Sequence, residues 1–427
     1  MTTLKMGTKT WVLLNSSRVV NEIISKRATK THERPFFPIA GELVSRNKRL
    51  FLLKTEDWRE GRRLLHQLFM GASSKNHGQL IEQASLELLQ AYVDHPKAWY
   101  AHNYRFAVTI IHKIITNAPL QKSSAELDNL QRVTSTFLTS INSSLVEFFP
   151  QLARIPISFQ FWRPYWEKLG TFHHSVFSNW WTDMKLLSSP NSEPSFVHHT
   201  LPKSYSGTEE QAMYLSMLAI SAGADNPRMT MNAWVMACLA YPDKMEHARR
   251  EIEAVCGDAL RLPSLNDLPQ MPYMCAMVKE VLRWRPTVPL LPQRVLVEDL
   301  EFEGYRFPAG TEFLVNSISV CNNGHERPEK FEPERWLKGT ADAGGVAQDL
   351  WQFAFSAGMR SCVGYKLAQK ELFVSFSRLL YCFDFVPAGE FKDTELNAFD
   401  VGEPFPVDVR IRSEAYERLV RGPQTVS

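Results

Sequence analysis

The chain has 427 residues, of which 44% are hydrophobic, with 48 Lys and Arg against 46 Asp and Glu; that is ample for a large core, and a net charge of +2 gives no electrostatic footprint for nucleic acid. Six scattered cysteines without a Cys-x-x-Cys pair argue against a disulfide framework and a zinc ribbon, and fit a reducing compartment. No apolar run reaches the roughly 18 residues of a membrane-crossing helix, and the first residues do not read as a signal peptide.

Residues 11–14, Trp-Val-Leu-Leu, read as a short strand, and Ser16 or Ser17 as the N-cap of an amphipathic helix reaching about Lys26. Residues 33–38 contain two prolines and form a loop, and residues 40–53 show no clear period. A helix opens at Thr55 and carries Trp58 and Arg62, four apart, on one face. Apolar residues recur at helical spacing over 79–117 and again over 123–149. Residues 150–166 are rich in proline and aromatic side chains, among them Phe159, Phe161, Trp162, Tyr165 and Trp166. Such a stretch lines a channel, touches a membrane surface or packs on the core, and the sequence leaves these open. The pairs His173-His174 and His198-His199 are neighbours that do not face each other on a helix, which argues against metal binding. Residues 190–206 read as a linker or surface loop.

Thr208-Glu209-Glu210-Gln211 is a capping box, and the mainly apolar stretch behind it predicts a long helix to about Tyr241. Pro227 lies inside it. Proline lacks an N–H and its ring collides with the carbonyl four residues back, here Gly223, so a kink is expected. A charged amphipathic helix follows over 243–255, a loop over 263–272, and a helix over 273–285 in which Glu280 and Arg283 share a face. Prolines force 286–294 into an extended path. Residues 300–316 read as short strands around a turn at 308–311. After Pro333-Glu334-Arg335-Trp336, one cysteine stands between two glycines in Phe355-Ser-Ala-Gly358-Met-Arg360-Ser-Cys362-Val-Gly364, and a helix begins near Gly364. Unpaired N–H groups at that helix start would favour a thiolate.

The spacing Phe-x-x-Gly-x-Arg-x-Cys-x-Gly resembles the cysteine loop of the cytochrome P-450 family, the haem-thiolate monooxygenases. The order of motifs over residues 11–412 strengthens the resemblance: Trp58-x-x-x-Arg62, the stretch Ala222-Gly223-Ala224-Asp225, Glu280-x-x-Arg283, Pro-Glu-Arg-Trp, then the cysteine loop. It implies a mainly α fold with a small β portion, one catalytic domain over 1–427 around haem b, and Cys362 as the iron ligand whose electron density favours O–O cleavage. It further implies Trp58, Arg62 and Arg294 on the haem propionates. Phe355, Arg360 and Gly364 would surround the cysteine, and Val288 and Leu290 would face the substrate. Glu280, Arg283 and Arg335 would form a buried network serving folding and haem retention. Arg360, Lys366 and Lys370 would offer a basic face to an NADPH–cytochrome P-450 reductase. The substrate class it implies is a small apolar organic molecule.

Two departures stand out. Where the family carries a threonine and a second hydroxyl residue after the acid, this chain has Asn226 and Pro227. Asn226 donates hydrogen bonds but is no proton source at neutral pH, so Asp225 with ordered water, or a hydroxyl on the substrate, is left to carry protons. Oxygen insertion, haem-thiolate coupling, rearrangement or dehydration without oxygen insertion, and an inactive haem-binding paralogue all stay open. The chain also starts short of the family's membrane anchor and proline-rich hinge. As given it reads as soluble and cytoplasmic; with an anchor ahead of it, the cytosolic face of the endoplasmic reticulum is implied, and a membrane surface joins the expected partners.

Overall fold

In the computed structural model, which describes residues 1–71, 76–187, 195–337, 354–394, 396 and 401–422, the chain opens with a hairpin. Gly7, at φ +63°, turns β1 (Thr2–Met6) back onto β2 (Lys9–Leu14). Ser16 is extended and starts α1 (Ser17–Val20), which runs on as a π turn over Asn21–Ser25. Short π and 3-10 turns at Pro38–Leu43 and Leu50–Leu52 fill the stretch without a sequence period. Then come α2 (Thr55–Met70), α3 (His77–Asp94) and α4 (Trp99–Thr116). The helical run expected over 79–117 is therefore two helices, divided where Pro96 opens a separate turn and offers no N–H. The next expected run also divides, into α5 (Ser124–Ser140) and α6 (Leu145–Phe148), with Asn142 left-handed between them.

After α7 (Arg163–Leu186) the expected linker proves to be structured wherever it is described. A π turn at Phe196–Thr200 leads into α8 (Leu201–Ser204), and Phe196, Val197 and Leu201 are buried. Residues 190–194 of that reading lie outside the described residues. The capping box forms as expected: Thr208 Oγ1 accepts from the Gln211 N–H at 3.2 Å, and Gln211 Oε1 from the Thr208 N–H at 2.7 Å. It starts α9 (Glu209–Ala240), which is buried around most of its circumference, as a core helix must be. Helix α4 lies along it. A Cβ on Gly223 would stand 2.7 Å from Ile111, so only glycine allows that approach. A buried relay pins the two: Tyr92 donates to Asn103 at 2.8 Å, and Asn103 to Asn232 at 3.1 Å.

Helices α10 (Pro242–Cys256) and α11 (Pro272–Trp284) precede strands β3 (Arg294–Val295), β4 (Leu300–Phe302), β5 (Tyr305–Phe307) and β6 (Glu312–Val315). Strand β6 inserts between β3 and β2, giving the order β1-β2-β6-β3, with β2 and β6 parallel and Trp11 opposite Glu312. Helix α12 (Ser317–Asn322), helix α13 (Tyr365–Cys382), the hairpin of β7 (Phe383–Pro387) and β8 (Val407–Ile411), and α14 (Glu414–Arg421) complete the chain. The fold is thus mainly helical with small sheets.

Behind the core, the Glu280 carboxylate is 0% exposed and accepts five hydrogen bonds. Arg283 reaches both of its oxygens at 2.8 and 2.9 Å, Arg335 Nε one at 3.1 Å, the Glu332 N–H one at 2.8 Å, and Trp336 Nε1 the other at 2.8 Å. Arg283 also holds the carbonyls of Pro328 and Lys330. One side chain thereby gathers α11 and the 3-10 turn Pro333–Trp336. A buried charge is tolerable only when so fully met. Glu280→Ala is expected to lower unfolding stability by about 3–5 kcal/mol and to abolish haem-loaded protein, read by urea denaturation and haem content; a stable, loaded variant would refute the assignment.

Candidate functional site

A cavity of about 330 Å³ opens between α2, α4, α9, the segment after α11 and the start of α13. Cys362 reaches into it from a loop of unusual backbone. Ser356 and Gly358 both have positive φ, +60° and +65°, and a Cβ on Gly358 would stand 2.4 Å from the Ile24 carbonyl. The loop closes through the Cys362 N–H on the Phe355 carbonyl at 2.8 Å, while the Gly364 N–H donates to the sulfur at 3.3 Å. Burial pushes the Cys362 thiol up; the Gly364 N–H and the charge of Arg62 oppose it. Gly364, the N-cap of α13, faces open space: a Cβ there would meet only the cysteine sulfur, at 3.9 Å.

Part of the rim is cationic. Arg34, Arg62, Arg294 and Arg360 all line the cavity, as does Trp58. The Arg360 guanidinium stacks 4.2 Å from the Trp58 ring centre and donates to the carbonyls of His32 at 3.1 Å and Leu53 at 2.9 Å. Its Nη1 is buried without a partner. Arg294 donates to Ser356 Oγ at 2.9 Å, and Arg34 to the carbonyls of Phe51, Pro292 and Gln293. Burial and the neighbouring charges of Arg360 and Arg62 push Arg294 down to about 9; burial pushes Arg360 down to about 10, opposed by Glu33 and aided by Arg62. Burial and the charges of Arg294 and Arg360 lower Arg34 as well, opposed by Glu33. Glu33 is the one carboxylate acting on this cluster, and its Oε1 already accepts the N–H groups of Arg34 and Thr55.

A thiol on one side, uncompensated cations with an orphaned donor on another and an open glycine surface between them fit an iron porphyrin with two carboxylates. Sulfur suits the metal, and guanidinium groups suit the carboxylates. Arg34 was missed in the sequence, where nothing distinguishes it from a loop arginine. Arg360 is buried and turned inward, so it cannot serve the basic outer face expected of it; Lys366 is exposed there and Lys370 is half-buried.

The third wall departs most from expectation. Helix α9 continues through Pro227 without interruption. Asn226 faces the cavity, its Nδ2 donating to the Ala222 carbonyl at 3.0 Å and its Oδ1 accepting from Thr287 Oγ1 at 3.1 Å. Asp225 does not line the cavity. It is buried against Arg228, which donates to it at 2.8 and 3.0 Å, and burial raises its carboxyl against the pull of that charge. The arrangement therefore gives no support to Asp225 as a proton carrier at the site. Thr230 and Thr287 line the cavity instead. In the segment after α11, Val288 lines it as expected, but Leu290 points outward, 40% exposed, and Leu291 takes the inner position. Strict alternation from Val288 would turn Leu290 inward; bends at Thr287 and Pro289 and the bridge from Leu290 to Asn316 break that period and bring Leu291 to the cavity. The aromatic stretch at 150–166 contributes nothing to the lining. Ile157, Phe159, Tyr165 and Phe161, the last 88% exposed, face outward, while Trp162 and Trp166 pack on a satellite core.

Comparisons with known proteins agree on one family. The family profile described as cytochrome P-450 matches residues 1–403. The chain is 28% identical to the cytochrome P-450 monooxygenase virE of Hypocrea virens, covering 98% of this chain and 80% of that one. It is also 28% identical to the cytochrome P-450 monooxygenase fogE of Aspergillus ruber, over 97% and 81% of the two chains. Among solved structures, a zebra fish cytochrome P-450 with abiraterone superposes with a TM-score of 0.75 at 23% identity, covering 96% of each chain.

Two outcomes follow from the charges. Arg294→Met is expected to stabilise the haem-free protein by about 1 kcal/mol, because it removes a buried and repelled cation, while haem is retained less well; thermal unfolding and haem transfer to apomyoglobin measure the two. Glu371, also in the lining, is buried with one oxygen unpartnered, and burial raises its carboxyl to about 8. The folded chain thus binds more protons than the unfolded one between about 4.5 and 8 and loses stability as pH rises through that window. Glu371→Gln should exceed the parent in stability at pH 8 by about 1 kcal/mol or more, with the gap closing toward pH 5, read from urea midpoints.

Proposed function

The chain belongs to the cytochrome P-450 family and is a monooxygenase of that family, and from this premise we propose that it inserts one oxygen atom from dioxygen into a small apolar organic substrate, with electrons from NADPH passed by a separate reductase. The observation that carries this reading is the meeting in one cavity of a single thiol, a cationic rim and an apolar wall. When bound, the haem would supply oxygen activation at an iron held by sulfur. Cys362 would hold the metal, and Trp58, Arg62, Arg294 and Arg360 would hold the carboxylates. Phe355 would shield the sulfur side from water, and Gly364 would leave room for a flat ring. Leu50, Phe51, Ile111, Leu218, Val288 and Leu291 make the surface that an apolar molecule would displace water from. Zebra fish relatives solved with abiraterone and progesterone support a small organic ligand of this kind.

The reductase reading rests on the cysteine side of the site, where Lys366 is exposed. Contact with a membrane surface is supported by the outward-facing Ile157, Phe159, Phe161 and Tyr165; no helix among the described residues is long and apolar enough to cross a membrane. One observation favours a second reading, coupling or rearrangement without oxygen insertion: positions 226 and 227 carry no hydroxyl.

In the reduced, carbon monoxide-bound protein a strongly red-shifted Soret band is expected, and Cys362→Ser should lose it; an unchanged spectrum in the variant would overturn the assignment of sulfur to iron. Turnover with a reductase under isotopically labelled dioxygen then separates the two chemistries, since a product free of label would exclude insertion.

A further inference from the structure

The wall of the cavity formed by α9 and residues 287–292 is apolar except where Asn226, Thr230 and Thr287 meet. Their hydrogen bonds leave a defined remainder. Thr230 Oγ1 is committed to the Asn226 carbonyl at 2.9 Å. Asn226 spends one amide hydrogen on the Ala222 carbonyl at 3.0 Å and accepts the Thr287 hydroxyl hydrogen at 3.1 Å. A primary amide carries two hydrogens, and a hydroxyl has two lone pairs besides its hydrogen. Facing the cavity, then, are one unused N–H of Asn226 and the unused lone pairs of Thr287 Oγ1.

We infer that Thr287 and Asn226 together form a recognition point for a hydroxyl group on the substrate. An alcohol oxygen can accept from Asn226 Nδ2 while its hydrogen is donated to Thr287 Oγ1, and a hydrocarbon of the same shape satisfies neither. The bond between the two residues fixes the spacing of donor and acceptor, because Thr287 orients the amide whose far hydrogen is held by the helix. Neither group titrates near neutrality, so the recognition is independent of pH. This rests on the reading of the cavity as the oxidation site and narrows its substrate class to apolar molecules bearing an alcohol. A site built to bond a hydroxyl rejects the analogue lacking it far more strongly than an apolar pocket distinguishes one methylene.

Calorimetric titration of the haem-loaded protein with adamantane and 2-adamantanol tests the pairing without relying on turnover. The alcohol should bind at least about tenfold more tightly than the hydrocarbon. In Thr287→Val, which keeps the shape and removes the oxygen, the two affinities should fall within about threefold of each other. Thr287→Ser, which returns the hydroxyl, should restore the preference. Equal affinities in the parent protein, absence of binding by either compound, a preference that survives Thr287→Val, or a serine variant that fails to restore it would overturn the inference. The carbon monoxide spectrum of the same preparations reports separately on the haem: a normal band with no alcohol preference rejects the recognition point alone, and a missing band rejects the haem reading.

Discussion

Four guanidinium groups face one cavity, among the described residues only the Glu33 carboxylate acts on them, and much of the architecture exists to hold them there. Arg360 ties the cysteine loop to the carbonyls before α2 and lies on the ring of Trp58, which α2 supplies. Arg34 joins the N-terminal loop to the segment after α11, and Arg294 joins that segment to the cysteine loop. Arg34, Arg294 and Arg360 meet carbonyls or hydroxyls at their edges and Arg62 lies over the Trp58 ring, yet Glu33 offsets their mutual repulsion only in part. A protein that brings like charges together in a place sheltered from water has its balance completed by something that carries negative charge. The same groups that assemble the site thus leave it energetically unfinished.

Around that cluster, two other devices divide the labour. The Glu280 carboxylate organises the far side of the core through donors that come from two separate segments of chain, α11 and the stretch 332–336. Helix α9 is the axis against which α4 packs at a glycine, and it is the only long helix described here that carries an internal proline. Its buried acid, Asp225, serves this axis through Arg228 instead of serving the cavity. Polarity at the cavity surface of α9 is left to an amide that borrows its hydroxyl partner from a segment 61 residues away.

What could be read in the sequence was local or carried by spacing. The cysteine loop, the two arginine-bearing motifs, the capping box at Thr208 and the Glu280–Arg283 pair are each written within a few residues, where helix period and turn chemistry dictate geometry. What could not be read depended on which face a side chain takes or which distant segment it meets. Leu290 and Leu291 are adjacent and chemically equal; only the path of the chain selects the second. Asp225 takes the acid position of the family's oxygen-helix motif, yet it and Asn226 point about 100° apart on the helix, and only Asn226 is in the cavity lining. Arg34 and Thr287 give no local signal at all, since their partners are supplied by tertiary structure. Arg360 shares the cavity lining with Cys362 but is buried and not on the outer face, for a motif records position along the chain and not depth.

The pairing of β2 with β6 sets Trp11 beside Glu312. A ribosome extends the chain at roughly 5–20 residues per second, so the first hairpin would leave the exit tunnel and stay without its parallel neighbour for roughly 15–60 seconds. During that interval one edge of β2 offers unpaired backbone groups to any passing strand. Contacts of such long sequence separation also form slowly once the whole chain is free. This hairpin is consequently made long before it can find its place, and it is where a nascent chain of this design is most exposed to aggregation or to capture by a chaperone.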